Sequence, residues 1–295
     1  MDINGTNMQT INRMVNTAWQ AGLAWKAPVD IGPLVVDFPG EGSGNLYPWL
    51  ERTPNFREWI GDRIFNNVKS DGFYVKHRIF EKSESIPATA IKDDMWKVYV
   101  PLLGMHATSW IQLKYSLVIG VLVDNALCFD GKALFANDHA YGEYAIDNLT
   151  SDALSVSAFE AAILAAGSWQ FANGDLVRPN FTHLLHGPKL RSTAFNIVDA
   201  ERIDDGNGNL ISNPNFKRAT RVEIPDFVGT ADDYWCLVDA SGPIKAVARQ
   251  NREEPVPKMD TDPLHVERSG KIDYMSSGRV AASPTFPHLV YGGRL

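Results

Sequence analysis

The sequence predicts an α+β protein with one long helix and two protruding extended pieces. Three patterns support this fold class. The longest helical periodicity in the chain runs from about residue 94 to 124, a period-two alternation covers 72–91, and short apolar runs typical of strands recur after residue 180. The 295 residues are 44% hydrophobic and 21% charged, which is enough apolar material to bury a core.

Residues 1–53 are expected to form an extended N-terminal arm. A short helical pattern between Met8 and Trp19 gives way to a stretch rich in proline and glycine. Proline has no amide hydrogen and is tolerated poorly inside helices and central strands. The prolines at positions 28, 33, 39, 48 and 54 therefore oppose regular structure, and we expect the arm to need another surface to lie on.

A compact helix is expected to begin near Pro54, because apolar side chains follow it at helical spacing. This helix carries Arg57, Trp59 and Arg63 close together. They form either local ion pairs on a surface helix, worth at most about 1 kcal/mol each, or a contact patch for another subunit, since Trp and Arg dominate interface hot spots.

The alternation at 72–91 predicts a β-hairpin with a polar turn at 82–85. Its side chains fall on two faces: Phe73, Val75 and Ile79 on one, and Lys76, Arg78 and Phe80 on the other. An isolated two-stranded ribbon is marginal in water, and the flanking sequence offers no cover. We therefore expect a neighbouring subunit to contact Lys76, Arg78 and Phe80, with Phe80 contributing more than Lys76.

The next segment predicts a long amphipathic helix from about 94 to 124. The two aspartates at 93 and 94 are expected to cap it, and Pro101 with Gly104 predicts a kink or an interrupted first turn. The apolar stripe recurs at steps of three or four: Leu102, His106, Trp110, Leu113, Leu117 and Val121.

The remaining elements are shorter. An Asp-Gly pair predicts a turn between two strands at 128–135, and the Pro/Gly-rich residues 276–295 leave the path of the C-terminal segment open. Further helices and strands are expected as follows: helices at 153–169 and from Pro188 to about Ala200, strands at 181–186, 221–224, 234–238 and 244–248, and a turn at 204–209.

Charge and cysteine content exclude several classes of protein. The formal net charge is −7, which argues against a dedicated nucleic-acid binder, because phosphate contacts need clustered Lys and Arg. No apolar run is long enough to span a membrane, and the first 19 residues lack the basic start and apolar core of a signal peptide, so we expect synthesis in the cytoplasm. Cys128 and Cys236 do not make a disulfide framework and are expected to be buried and reduced.

No motif predicts a metal site. His183 and His186 lie three apart in an expected strand, so their side chains point to opposite faces. Asp205, Asn207 and Asn209 resemble the start of a calcium loop, but the sixth position of that loop is Leu210 where glycine is required, and the twelfth has no glutamate. A turn is the better interpretation.

Catalytic motifs are equally weak. The glycine-rich stretch 40–44 has no serine at its centre and no following Lys-Ser/Thr, so it predicts a flexible linker. Asp138 and His139 could form an acid–base pair, and a small hydrolase using them is one alternative for the whole protein. We expect no enzyme activity, no cofactor and no metal.

Six segments in order resemble the major head subunits of bacteriophage Mu and Mu-like prophages. They are Tyr-Pro-Trp-Leu (47–50), the segment Pro-Asn-Phe-Arg-Glu-Trp-Ile-Gly-Asp-Arg (54–63), residues 73–81 with 91–101, Cys-Phe-Asp-Gly-Lys-Ala-Leu-Phe (128–135) followed by Asp138-His139, Tyr-Trp-Cys-Leu-Val-Asp (234–239), and Lys-Ala-Val-Ala-Arg-Gln-Asn-Arg (245–252). The resemblance covers nearly the whole chain.

The resemblance implies the tailed-phage (Hong Kong 97-type) capsid fold. Its parts are an N-terminal arm at 1–53, a peripheral domain at 54–149 and 241–295, and an axial domain at 150–240. The peripheral domain would include an extended loop at 72–91 and a spine helix at about 94–124. Deleting Phe80 to Ile86 is then expected to leave a folded subunit that fails to form shells.

The implied function is structural: pentamers and hexamers of this chain would build the icosahedral head of a virion around the phage genome, and the packaged DNA would be held non-specifically. Implied partners are further copies of the chain, a portal and a separate scaffolding protein, with a decoration protein as a further candidate. We expect little or no cleavage of the chain, because residues ahead of 47–50 lack a long coiled-coil pattern. A nanocompartment shell of the same fold, enclosing a cargo enzyme, is the alternative.

Overall fold

The computed structural model describes residues 5–27, 29–47, 73–93, 95–204, 208–260 and 262–294. Its helices are α1 (Gly5–Leu23), α2 (Ala88–Lys92), α3 (Trp96–Val123), α4 (Val156–Gly167), α5 (Arg191–Val198) and α6 (Pro263–Ser269). Its strands are β1 (Val35–Pro39), β2 (Gly44–Tyr47), β3 (Phe73–Lys76), β4 (Arg78–Pro87), β5 (His139–Tyr141), β6 (Tyr144–Ile146), β7 (Leu149–Thr150), β8 (His183–His186), β9 (Arg202–Asp204), β10 (Leu210–Ser212), β11 (Thr220–Glu223), β12 (Trp235–Val238), β13 (Val247–Glu253), β14 (Lys258–Met259), β15 (Lys271–Pro284) and β16 (Val290–Gly293). The expected α+β class is confirmed.

Two five-stranded sheets organise the described chain. The first is built around β15, which pairs with β4 along one edge and with β13 and β14 along the other, and β1 pairs with β13 at the rim. The second has the strand order β11–β8–β12–β16–β7. The C-terminal strand β16 therefore joins the second sheet, whereas β15 just before it forms the centre of the first.

The hairpin expected at 72–91 is wrong, because its strands pair with distant partners. The segment 82–85 is not a turn: β4 runs straight through it as part of a ten-residue strand. Its partner is β15, in register from Arg78 opposite Val280 to Pro87 opposite Lys271. The cover that the flanking sequence lacked comes from the C-terminal part of the same chain.

The long helix α3 is confirmed almost at its expected bounds. It is continuous from Trp96 to Val123 with Pro101 inside it. The expected aspartate cap is wrong: the N-cap position is Met95, which makes no side-chain cap bond, and the amide of Asp93 instead closes α2 by donating to the Thr89 carbonyl oxygen at 2.9 Å. Pro101 is the sixth residue of α3 and lies beyond the first four, whose amides have no partner within the helix, so the helix continues through it with one backbone hydrogen bond fewer.

The N-terminal residues are less extended than expected. The pattern from Met8 to Trp19 belongs to the 19-residue helix α1, which lies against α3. Glycines permit the close approach, since a Cβ at Gly22 would overlap the backbone of Gly104. Ile11, with Leu103 of α3, lies in a buried cluster together with β4 and β15.

The arm continues as part of the body. Residue Leu34 is buried in the main core, and β1 pairs in parallel with β13. The stretch 40–44, expected as a flexible linker, is a tight turn in which the Asn45 side chain accepts from the Glu41 amide and donates to the Pro39 carbonyl, both at 2.8 Å. Pro39 ends an edge strand, where a missing amide hydrogen costs little.

The main core lies where the C-terminal half of α3 meets both sheets. Val118, Ile119 and Leu122 pack there with side chains from β8, β12, β13 and β16. Cys128 and Cys236 are buried, free thiols in this core, as expected. Burial raises the pKa of the Cys236 thiol to about 12 and also raises that of Cys128.

Further expected elements are present with shifted bounds, whereas the helix expected to begin near Pro54 lies outside the described residues and the turn expected at 204–209 lies partly outside them. The segment 128–135 is a tight turn around Gly131, at φ 76°, with one bridge between Leu127 and Ala133 in place of two strands. The helix expected at 153–169 is α4, which Ser155 caps by accepting from the Ala158 amide at 3.1 Å.

Candidate functional site

Three of the six expected contact residues, Arg57, Trp59 and Arg63, lie outside the residues that the structure describes. Two others bracket a chain joint. Lys76 ends β3 and Arg78 begins β4, and both side chains are exposed. A neighbouring molecule can therefore reach them.

Phe80 packs within its own chain. Its ring meets the Trp110 indole of α3 edge-on, with the centroids 6.5 Å apart. Gly278 lies opposite Phe80 on β15, where a Cβ would come within 2.6 Å of the Trp110 ring. The Arg78 guanidinium lies 5.2 Å from the centroid of the Phe80 ring. The large exposed side chain at this end of β4 is instead Ile79.

A cleft of about 290 Å³ lies between β4 and α3. Its polar side chains are paired within the chain: Lys82 Nζ donates to Ser109 Oγ at 3.4 Å, and His106 Nε2 lies 3.4 Å from Glu84 Oε2. Burial and then the Lys82 charge lower the pKa of His106, against the opposing effect of Glu84. These two contacts connect β4 to the long helix α3 across the cleft.

The short antiparallel pair β2–β3 is the base of a longer segment. Tyr47 at the end of β2 pairs with Phe73 at the start of β3, so the two ends of 48–72 meet. Tyr47 is buried, and its hydroxyl accepts from Gln250 Nε2 of β13 at 2.8 Å. We call β2 and β3 the stem. It holds both ends of the segment that contains Trp59 against the first sheet.

The hairpin β9–β10 is a second exposed apolar feature, which the sequence patterns did not single out. Leu210 is 66% exposed and Ile211 is 45% exposed. The two strands pair only with each other among the described strands. Asn213 anchors the base, because its side-chain amide donates to three carbonyl oxygens at the end of α5, at 2.8 to 3.2 Å. Two consecutive aliphatic residues between turn-forming residues were the available signal.

Asp138 and His139 do not form the acid–base pair considered above. His139 is fully buried, with Nδ1 2.6 Å from Asp130 Oδ2 and Nε2 3.1 Å from the Leu134 carbonyl oxygen. Asp138 pairs with Lys132 instead. Burial by itself would raise the pKa of Asp130. The hydrogen bonds from His139 and the Lys132 amide lower it by more, so the net effect is a decrease. The cluster stabilises a turn and offers no access to a substrate.

The metal candidates are also separated. His183 contacts Thr182, and His186 is fully buried with Nδ1 2.7 Å from the Gly187 carbonyl oxygen. Asp205 and Asn207 fall outside the described residues. Within the described ranges, no three His, Cys, Asp or Glu side chains are arranged to hold a metal ion, and no helix could cross a membrane.

Comparison with known sequences identifies a family. The model of the Mu-like prophage major head subunit gpT matches residues 8–169, more than half of the chain. The FluMu prophage major head subunit of Haemophilus influenzae is 30% identical over 145 residues, which is 46% of this chain and 47% of that protein. The major capsid protein of Escherichia phage Mu is 26% identical over 129 residues, 42% of each chain. The matches span about half the length of these curated relatives.

Solved capsids show the same fold. A subunit from the procapsid of bacteriophage JBD30 superposes with a TM-score of 0.59 at 20% identity, covering 99% of this chain and 76% of that one. A capsid subunit of an empty GTA particle gives 0.55 at 9% identity, covering 91% and 90%. The tailed-phage capsid fold expected from the sequence is confirmed. With the match over 8–169, these findings show that the chain belongs to the family of Mu-like prophage major head subunits.

Proposed function

We propose that this chain is the major capsid protein of a Mu-like phage or prophage and that it self-assembles, as pentamers and hexamers, into the icosahedral head of the virion. The family match over residues 8–169 carries the proposal. It also favours a phage head over a nanocompartment shell of the same fold, because the family is one of head subunits. The chain would act as a structural protein without a cofactor.

The proposed division keeps an N-terminal arm at 1–53, a peripheral domain at 54–149 and 241–295, and an axial domain at 150–240. The two sheets support this division, because β4, β13 and β15 build the first and β8, β11 and β12 build the second. Strand β16 would then link the end of the chain to the axial domain.

A subunit contact is proposed for residues between β2 and β3, because β4 pairs with β15 instead of forming the hairpin expected at 72–91. The stem places Tyr47 beside Phe73. The sequence between these two residues carries Arg57, Trp59 and Arg63. Trp and Arg side chains dominate interface hot spots. Lys76 and Arg78 at the foot of the stem would add charged contacts, which contribute more to specificity than to affinity.

The hairpin β9–β10 is proposed as an axial contact. Ile203 and Ile211 pair on one of its faces, and Leu210 lies on the other face opposite Asp204 and beside Arg202, so a second copy could meet apolar side chains on both faces and charges on one. A free two-stranded hairpin is marginal in water. The Asn213 bonds hold it in place before a partner arrives.

Partners other than copies of the chain remain part of the proposal. They are a portal, a separate scaffolding protein and a decoration protein. The JBD30 capsid is decorated with minor capsid protein trimers, which supports the last of these. Packaged DNA would touch the shell non-specifically, in keeping with a net charge of −7.

The test is electron microscopy of purified protein, with and without co-expressed scaffolding protein. We expect closed shells or capsomers from the natural sequence. The double variant Leu210→Ser/Ile211→Ser should keep its thermal midpoint but lose most particles, whereas the control Leu164→Ser, at a still more exposed leucine on α4, should assemble normally. Monomers under every condition contradict the proposed function, and normal shells from the double variant contradict only the hairpin contact.

A further inference from the structure

His77 occupies the joint between two separate parts of the fold. Strand β3 ends at Lys76 and β4 begins at Arg78, so His77 is the single residue between them. Strand β3 belongs to the stem, whereas β4 belongs to the first sheet. The backbone at this residue therefore sets how the stem is oriented on that sheet.

The imidazole is enclosed without hydrogen-bond partners. His77 is 6% exposed, and neither ring nitrogen has a partner among the described residues. The ring rests on Gly40, where a Cβ would lie 2.7 Å from His77 Nε2. Gly40 is itself held in place, because its amide donates to the Asn251 carbonyl at 2.9 Å and its carbonyl accepts from Arg252 at 3.2 Å. Any larger residue at position 40 would close this socket.

The charges near the ring are mainly positive. Burial lowers the pKa of His77, and so do the guanidinium groups of Arg252 on β13 and Arg279 on β15, against the opposing effect of the nearby Ser43 backbone. Arg279 is 3.4 Å from Glu253, which draws that carboxylate to the guanidinium.

The remaining charged and titratable groups of the adjoining segments are the side chains of Glu41, Tyr74, Lys76 and Arg78. Glu41 is exposed, and the Tyr74 hydroxyl lies 2.7 Å from Ser43 Oγ. None of them hydrogen-bonds to the ring. An imidazolium needs acceptors at both nitrogens. The Ser43 backbone lies near enough to favour the charged ring, but neither ring nitrogen forms a hydrogen bond among the described residues.

We propose that His77 is a pH-sensitive joint: the neutral ring lets the stem close against the first sheet, and the protonated ring releases it. Protonation would add a positive charge beside two guanidinium groups where neither ring nitrogen is hydrogen-bonded, so the ring would move towards water. The turn at 40–43 and the stem would move with it. The consequence for assembly rests on the proposed function, because the stem holds both ends of 48–72.

Hydrogen exchange of the unassembled subunit tests the joint. Peptides covering 40–47 and 73–80 are followed from pH 8 to pH 5, with rates corrected for the intrinsic pH dependence of exchange. In the natural protein, corrected exchange should rise by up to about tenfold for each pH unit below the pKa of His77. His77→Gln, which cannot be protonated, should lack this rise, whereas His183→Gln on the second sheet should keep it.

A second measurement covers the case in which His77→Gln loosens the stem at every pH. In the natural protein with isotope-labelled histidine and glycine, the His77 ring and the Gly40 amide should titrate together in NMR spectra, with a midpoint below 6.5. A rise that persists in His77→Gln, or a Gly40 amide that ignores the ring titration, overturns the proposal. Since neither experiment needs shells, failure here leaves the proposed head function standing, and failure to assemble leaves the joint testable.

Discussion

Acid should destabilise the subunit through His288. This residue lies in a short 3-10 helix before β16, where its ring stacks on Phe286 at 4.9 Å and meets Phe171 edge-on at 5.3 Å. Its Nδ1 lies 3.2 Å from the Tyr141 hydroxyl. Burial lowers the pKa of His288 to about 4, with a smaller opposing effect from Asp239.

The direction follows from proton linkage. In the unfolded chain the ring takes up a proton near pH 6.5, but in the folded chain it resists protonation until about pH 4. Between these values the unfolded state binds more protons, so stability is highest above pH 6.5 and falls as pH is lowered towards 4. For a group with these two pKa values, the free energy of unfolding should fall by about 2.5 kcal/mol between pH 7.5 and pH 4.5.

The assay is urea unfolding of the natural subunit and of His288→Phe across this pH range. Phenylalanine suits the aromatic surroundings and cannot be protonated, so the variant should lose about 1 kcal/mol at pH 7.5 for the missing Tyr141 contact. Between pH 7.5 and pH 4.5 the variant should lose about 2.5 kcal/mol less of its free energy of unfolding than the natural subunit loses. The other titrating groups are common to both proteins and cancel in this difference.

Tyr141→Phe is the matched control, since it removes the same hydrogen bond and keeps the titrating ring. It should be less stable at every pH and retain the acid-dependent loss. If His288→Phe loses stability towards acid as steeply as the natural subunit, then His288 is not the responsible group and the argument from its burial is refuted.

Three further predictions concern packing. Gly293→Ala would force a methyl group into the Trp235 indole and should lower the free energy of unfolding by about 1 to 3 kcal/mol, read from the urea midpoint. Deleting 80–86 should abolish folding instead of assembly alone, because it removes most of β4; a soluble variant with a native circular dichroism spectrum contradicts this. Cys128 and Cys236 should resist thiol reagents until the protein is unfolded, and rapid native labelling argues against their burial.

The sequence by itself determined the helices and strands that depend on interactions between residues close together in the chain. The long helix was expected at about 94–124 and is found at Trp96–Val123, because its periodicity depends on residues one or two turns apart. The strands β8, β11 and β12 and the helix α4 were likewise expected from short apolar runs. The resemblance to Mu-like head subunits likewise needed only short motifs in order.

Strand partners could not be obtained in this way. A period-two pattern shows that 78–87 is extended, but does not say which strand covers it, and the covering strand β15 lies at Lys271–Pro284. Because residues 276–295 are rich in proline and glycine, the sequence did not predict that strand. Its glycine at position 278 is required because the Trp110 ring fills the space where a Cβ would lie.

Only the tertiary structure decided which expected contact residues are accessible. The alternation grouped Phe80 with Lys76 and Arg78, yet Phe80 packs on the long helix while Lys76 and Arg78 face solvent. It also revealed the exposed hairpin β9–β10 and the enclosed ring of His77. The direction and burial of a side chain depend on segments that arrive from distant parts of the chain, and no local pattern encodes which segments those are.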